Sequence, residues 1–445
     1  MSYNNKNSSI DYEFLANRSV LEGLRRIPKY ITLGAVSNGI LGAIFFLTCV
    51  VMIVNGGTEA GLTSEETISW VFSTFVFGSL LGFYLQLKYK MPIVGAWSMP
   101  AVTVASLGFQ LYSLPEMRGA FIMSGILVFV LGATGLIKTV MKFLPMPMVM
   151  AMLAGALVRY CTNTVSYVSE MPLIIFATII TFLVCTKYKE IVKLPPVLIT
   201  FCVTMILAVA TGVLETSPTT QSYGLVIPQF GAVAFNLSTI PSVVIPTTLL
   251  VIGVENAQAI GLLKSRGYPD VPVTVMTVGS GFGGVIAGLL GGHNANIAGP
   301  TTGICSAPEV GPLETRYTAA FVCNVITLFA GLFAGVMVPF ILLLPSSLIT
   351  PIAALALLRV MMEAFQVGFG TGKMPVSCFF TFVVCLANKS FFNIGPVFWG
   401  LLVGVIVALF LEKDEFTELI RAEEEKEKEN KQHAEKARVY SASPS

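Results

Sequence analysis

Charge is what this sequence has least of. Asp, Glu, Lys and Arg make up 12% of its 445 residues, about half the share of an ordinary soluble domain, and they gather at the ends of apolar stretches and in the two tails. A net charge of +2 spread that way gives no basic face for nucleic acid. Histidine occurs twice and tryptophan three times. The eight cysteines lie in or beside apolar stretches without a C-x-x-C pair, which excludes a zinc ribbon and leaves them as small packing residues. Nucleotide loops, a nucleophile–base set and metal-ligand spacings are all missing, so no cofactor or metal is expected and an enzyme is a distant reading. The opening MSYNNKNSSIDYEFLANRS is too polar and charged for a cleaved signal peptide. The first apolar span is expected to act as the insertion signal.

What the sequence has is hydrophobic length: 54% apolar residues and a mean hydropathy of +0.78. Uncharged stretches long enough to cross a bilayer fall near 30–53, 67–87, 118–137, 145–165, 171–186 and 196–214, then 241–263, 271–290, 317–343, 346–366, 374–388 and 394–411. The uncharged run from 317 to 366 is too long for one span and divides at Pro345, where a helix is expected to end. Two further segments, 91–110 and 291–308, are broken by Gly, Pro and polar residues. Counting them gives an all-α polytopic membrane protein of fourteen segments. Lys88, Lys90, Lys138, Lys142, Lys187, Lys189, Lys193, Lys264, Arg266, Arg316 and Lys373 fall on one side, and mainly Arg118, Arg159 and Lys389 on the other. By the positive-inside rule both termini are cytoplasmic, and the Lys/Arg-free loop 215–240 is outside. The charged run EEEKEKENK after Glu412 reads as a solvated, partly helical end.

The two halves repeat. Leu144–Arg159 (LPMPMVMAMLAGALVR) and Leu344–Arg359 (LPSSLITPIAALALLR) share six residues at an offset of 200, and Pro100 and Pro300, with Ser106 and Ser306, keep the same offset. Glu116-x-Arg118 corresponds to Glu314-x-Arg316, and Val36-Ser37-Asn38 to Val254-Glu255-Asn256. Seven segments per half force the second half upside down relative to the first. That 7+7 inverted repeat is the plan of secondary transporters, with the two broken segments, spans 3 and 10, meeting at mid-membrane.

Each broken segment, GAWSMPAVTVAS from Gly95 and GGHNANIAGPTTGICSA from Gly291, reads as an extended piece followed by a half-helix starting at its Pro. Irregular backbone at membrane depth survives only inside protein or along a cavity. The candidate substrate-binding residues are Asn38, Trp97, Ser98, Met99, Pro100, Glu255, Asn256, Gln258, Asn294, Asn296, Gly299, Pro300, Thr301 and Thr302. The amides serve equally well as ties between helices. Glu255 is the one acid near the middle of a span, where a charged carboxylate is costly; it and His293 are the candidates for carrying a proton. Arg359 and Glu363, four apart on one helix, are expected to pair. Without a Lys or Arg at mid-membrane, half-helix dipoles must answer the substrate's charge, and their partial charges suit a singly charged, partly apolar anion.

At these residues a family resemblance emerges. AWSMPA, AMLAGALVR, GVENAQAIGLLKSRGY, GGHNANIAGPTTGIC and ETRYTAA resemble the bacterial benzoate–proton symporters over most of residues 30–411, a family similar in turn to the fourteen-span nucleobase transporters. The resemblance implies a core domain (30–143 and 241–343, spans 1–4 and 8–11) and a gate domain (144–214 and 344–411, spans 5–7 and 12–14). They are flanked by cytoplasmic tails at 1–29 and 412–445 and separated by the extracytoplasmic loop 215–240. It implies substrate held between spans 3 and 10, a homodimer through the gate domain, and residence in the inner membrane. The function expected is proton-coupled symport of a small organic anion or weak acid, an aromatic carboxylate first. An acid at 255 is closer to the nucleobase carriers, so nucleobase–proton symport is the first alternative; an uncoupled anion channel or exchanger is the second.

Overall fold

The computed structural model describes residues 18–136, 145–188, 196–214, 230–268, 270–370, 372–392 and 394–421. Lys138, Lys142, Lys189, Lys193, most of the loop 215–240 and the tail beyond Arg421 lie outside the described residues.

Helices begin where the sequence supplies a cap or a proline. α1 (Leu33–Glu59) starts at Thr32, whose hydroxyl accepts the Ala35 amide at 3.0 Å. α2 (Ser64–Tyr89) and α4 (Leu114–Thr134) start in capping boxes, Thr63 with Glu66 and Ser113 with Glu116. Pro also stands in the first two positions, where the missing N–H costs nothing, of α5 (Met146–Tyr167), α6 (Pro172–Lys187), α7 (Pro196–Thr211), α13 (Pro375–Leu386) and α14 (Pro396–Leu411). α12 (Ser346–Phe369) follows Pro345. α11 (Tyr317–Leu332) continues, after a break at Phe333, as Ala334–Leu342. α9 is Val273–Leu289.

α8 (Ile240–Ser265) is not a regular α-helix. It widens into π-helical turns at Ile240–Val244 and again at Val251–Asn256, the stretch that contains Glu255. Such turns are rare and favour functional positions.

Among the described residues seven helices are long and apolar enough to cross a membrane, and five more apolar helices run 10–17 residues. A 16-residue helix spans only about 24 Å, short of a hydrocarbon core of about 30 Å.

The two broken segments form their own element. β1 (Gly95–Ala96) pairs antiparallel with β2 (Asn296–Ile297), Gly95 opposite Ile297 and Ala96 opposite Asn296. The half-helices α3 (Met99–Phe109) and α10 (Gly299–Cys305) follow, each starting one residue before its proline. Glycine seats the strands: a Cβ on Gly78 of α2 would overlap the Ala96 backbone, and one on Gly283 of α9 would overlap the Ala295 carbonyl.

Packing pairs recur between the halves. α4 packs on α9 as α2 packs on α11; α6 packs on α7 as α13 packs on α14; α6 packs on α12 as α13 packs on α5; α5 and α12 pack on each other. The α4–α9 contact is a close approach of small residues, Gly125 against Gly281 and Gly284, as membrane helix pairs favour.

Both ends of the described chain are docked. Val20–Arg25 lies over the ends of α2 and α11, with the Tyr317 hydroxyl donating to the Gly23 carbonyl at 3.0 Å and Lys90 Nζ to the Ser19 carbonyl at 2.9 Å. In the segment expected to be a solvated, partly helical tail, Lys413, Asp414, Glu415, Glu418 and Arg421 are exposed on a helix, while Glu412 and Phe416 are buried. After α14 the chain bends by 103° into Lys413–Arg421. Glu412 accepts the Val376 and Ser377 amides at 2.8 and 2.9 Å, and Glu415 accepts Met374 N at 2.6 Å. The free amides at the start of α13 take carboxylates, as a helix N-terminus prefers, and Phe416 is buried beneath them.

Candidate functional site

Extended backbone inside a membrane protein must find hydrogen-bond partners away from water. Here the polar residues of the broken segments and their neighbours supply them. Ser98 N donates to Asn294 Oδ1 at 2.9 Å, Val94 N to Thr302 Oγ1 at 3.2 Å, Ala298 N to the Val94 carbonyl at 2.9 Å and Ile297 N to Ser280 Oγ at 3.4 Å. Asn296 Nδ2 donates to the Ile297 carbonyl at 2.9 Å. Asn294, Asn296 and Thr302 therefore brace the backbone of the site.

His293 is bound at both ring nitrogens. Trp70 Nε1 lies 2.8 Å from Nδ1, and the Ser98 carbonyl lies 3.0 Å from Nε2. An indole N–H only donates and a carbonyl only accepts. Nδ1 is therefore the bare nitrogen and Nε2 carries the hydrogen. A second proton on His293 has to break the Trp70 bond. Trp70→Phe removes the donor and leaves Nδ1 buried without a partner, at a cost of about 1–3 kcal/mol. The expected result is a lowered melting temperature with the pH profile of uptake unchanged in shape; a displaced pH profile would make His293 a titrating group.

Glu255 holds the centre. It is 2% exposed, and its Oε2 accepts the Gly299 amide at 3.0 Å. The Met99 amide and the Ser98 hydroxyl also meet its carboxylate. The residue before α10 is Ala298, which has no capping side chain; the acid from α8 takes that place. Around it, Asn256 Oδ1 lies 3.1 Å from Ser280 Oγ while its Nδ2 has no partner among the described residues. Gln258 is half-buried against Gly299, where an added Cβ would lie 2.9 Å from Gln258 Cβ. Trp97 is buried among Phe46, Phe75 and His293, with ring centroids 5.9–6.1 Å away, and its Nε1 is unpartnered among the described residues, as are Asn294 Nδ2 and Thr301 Oγ1. Met99 and Pro100 are buried in the first turn of α3.

Asn38 makes no side-chain hydrogen bond to the residues of this centre among the described residues. It lies in the second turn of α1 and its Nδ2 donates back to the Gly34 carbonyl at 2.9 Å. The expected Arg359–Glu363 ion pair does not form either. Arg359 is exposed, and an i, i+4 pair with the cation first is the weaker orientation. Its counterpart Arg159 does pair, across to Glu59 Oε2 at 3.2 Å. Sequence reasoning missed Trp70 and Ser280. Trp70 stands only in the second turn of α2, where a tryptophan usually reads as interfacial, so the sequence carried no signal for the first.

A helical membrane protein whose two broken segments meet around one buried acid is a membrane transporter, not an enzyme. The chain belongs to the family described as "Benzoate membrane transport protein", which it matches over residues 29–410. It is 23% identical over 369 residues to the Benzoate membrane transport protein of Acinetobacter baylyi, covering 82% of this chain and 91% of that one. It is 26% identical over 367 residues to Inner membrane protein YdcO of Escherichia coli, covering 82% and 92%. Among solved structures the fold resembles SLC26A9, with a TM-score of 0.58 at 15% identity over 88% of this chain and 68% of that one. It also resembles the transmembrane domain of the cyanobacterial bicarbonate transporter BicA, with a TM-score of 0.54 at 13% identity over 84% and 96%.

Proposed function

We propose that the chain is a secondary transporter that carries a small aromatic monocarboxylate of the benzoate class across the inner membrane together with one proton, by alternating access. The observation that carries this reading is the position of Glu255: the one mid-span acid lies against the Gly299 amide and the start of α3. The segments 91–117 and 267–315 contain no Lys or Arg, and neither does α8 before Lys264. A single negative charge can be met there by amides and side-chain donors, whereas a dianion would lack a counter-charge. The family match and the name of the Acinetobacter relative support an aromatic acid.

In this reading all fourteen segments belong to the membrane as a 7+7 inverted repeat, the shorter helices included; the packing pairs that recur when the halves are exchanged support it. Spans 1–4 and 8–11 form the core and spans 5–7 and 12–14 the gate, with both termini cytoplasmic and the homodimer contact on the gate. One side-chain chain crosses between these bodies. Arg159 of α5 holds Glu59 of α1 at 3.2 Å, Asn55 Nδ2 donates to Glu59 Oε1 at 3.0 Å, and Thr350 of α12 donates to Asn55 Oδ1 at 2.9 Å. It has to part when the core moves against the gate.

Purified protein in proteoliposomes tests the substrate class. Because neutral benzoic acid itself crosses lipid, the quantity to read is the initial rate above protein-free vesicles. Saturable, acid-stimulated uptake of benzoate and related aromatic acids is expected. Acid-stimulated uptake of uracil or xanthine in its place would transfer the chain to nucleobase–proton symport.

A further inference from the structure

We infer that the Glu255 carboxylate is the resident occupant of the position a substrate carboxylate takes, so that the anion binds only as Glu255 accepts a proton and releases its donors. This rests on the symport reading above and adds the order of events and the reason one anion takes one proton.

Glu255 accepts the Gly299 amide at 3.0 Å and faces the Met99 amide and the Ser98 hydroxyl. These are the kind of donors that a bound carboxylate needs. α10 has seven residues and offers no anion site of its own; α3, with eleven, supplies the longer helix start. Beside this start three buried N–H donors have no partner among the described residues: Trp97 Nε1, Asn294 Nδ2 and Asn256 Nδ2. Trp97 adjoins Ser98 in sequence, Asn294 binds the Ser98 amide through its other atom, and Asn256 adjoins Glu255. Buried donors are nearly always satisfied, and these three are left open on residues that adjoin or bond Ser98 and Glu255, as donors a substrate carboxylate could complete.

Two ionised carboxylates cannot share this place. No Lys or Arg lies in the segments that build it, and like charges a few ångströms apart force one of them to take a proton. The titratable side chains bearing on Glu255 among the described residues, Cys49 of α1 and Glu363 of α12, bring no positive charge; His293, on the β2 side, has both nitrogens engaged. The proton therefore goes onto Glu255, from water on the open side. An O–H bond forms there, the substrate enters as the anion, and the loaded site carries no added net charge.

Benzoate binding to the purified full-length protein in nanodiscs, by calorimetry from pH 6 to pH 9 in two buffers of different ionisation enthalpy, tests this. Benzoate stays ionised throughout that range, its acid having a pKa of roughly 4. Above the titration of Glu255 the wild type is expected to take up about one proton per benzoate and to lose affinity about tenfold per pH unit; below it, both effects vanish. Glu255→Gln is expected to take up none, to bind with an affinity independent of pH, and to outbind the wild type at pH 9. Flat wild-type affinity without proton uptake would overturn the displacement and leave symport standing. A folded Glu255→Gln protein that binds no benzoate would also overturn it, by making the acid a ligand of the substrate. A wild type that binds no benzoate at any pH removes the symport reading and the displacement with it.

Discussion

Glu255→Gln in proteoliposomes is expected to exchange internal for external benzoate at a substantial rate while losing the acid-driven uptake of the wild type. Glutamine keeps the length of the side chain and an oxygen that can accept the Gly299 amide at the position where Oε2 now does at 3.0 Å, so α8 and α10 stay joined. What it removes is titration. Coupling one proton to each anion gives an accumulation of about tenfold per pH unit of gradient, about 1.4 kcal/mol; an exchange-only carrier gives none. If the glutamine protein still shows acid-stimulated net uptake equal to the wild type, Glu255 is a structural tie between α8 and α10.

The second large effect is expected at the start of α10. In Gly299→Leu with Pro300→Ala, the leucine Cβ alone would lie 2.9 Å from Gln258 Cβ and overlap the Gln258 carboxamide. The carboxamide can swing away; Cβ can move only with the backbone of α8. That shift separates Glu255 from the Gly299 amide. Overpacking of this kind costs about 1–3 kcal/mol of stability. Benzoate affinity is expected to fall at least about 100-fold, equivalent to ~2.7 kcal/mol, while the protein still elutes as a folded species. Wild-type affinity in the double variant would remove α10 from the site.

Much of this was legible in the residues. Apolar length marks the helices because a bilayer requires it. Pro145, Pro172, Pro196, Pro345 and Pro375 mark helix starts because a missing N–H costs nothing there, although Pro339 and Pro351 lie inside helices. Gly-Pro and Ser-Met-Pro in the middle of uncharged runs mark the broken segments. The rest depended on geometry that sequence spacing does not carry. The repeat seen between Val36-Ser37-Asn38 and Val254-Glu255-Asn256 is three residues long. Asn38 stands in the second turn of α1, whereas Glu255 stands past the middle of α8. The π-helical stretch Val251–Asn256 shifts the facing of that part of α8 by a part-turn that a 3.6-residue period cannot anticipate. The polar residues of GGHNANIAG were found correctly as inhabitants of a buried site. Pattern alone could not divide them between ligand and backbone; in the fold Asn294, Asn296, Thr302 and His293 each bond main-chain atoms. The charged tail reads as solvated from composition, and Lys413, Asp414 and Glu415 are exposed, but Glu412 is buried because it finds the open amides of α13.

SLC26A9 and BicA, at 13–15% identity, speak for the fold alone. The uncoupled anion channel or exchanger is the alternative to separate from symport. One measurement does so: the protein-dependent initial rate of benzoate uptake, first under an acid-outside pH gradient without a membrane potential, then under a potassium–valinomycin potential of about 100 mV, inside positive, without a pH gradient. An anion moving alone gains about 2.3 kcal/mol from that potential, roughly a fifty-fold change in its driving ratio. An anion moving with one proton carries no charge and gains nothing. The result expected is a rate raised by the pH gradient and unmoved by the potential. A rate raised by the potential and indifferent to the pH gradient would contradict proton-coupled symport at its centre.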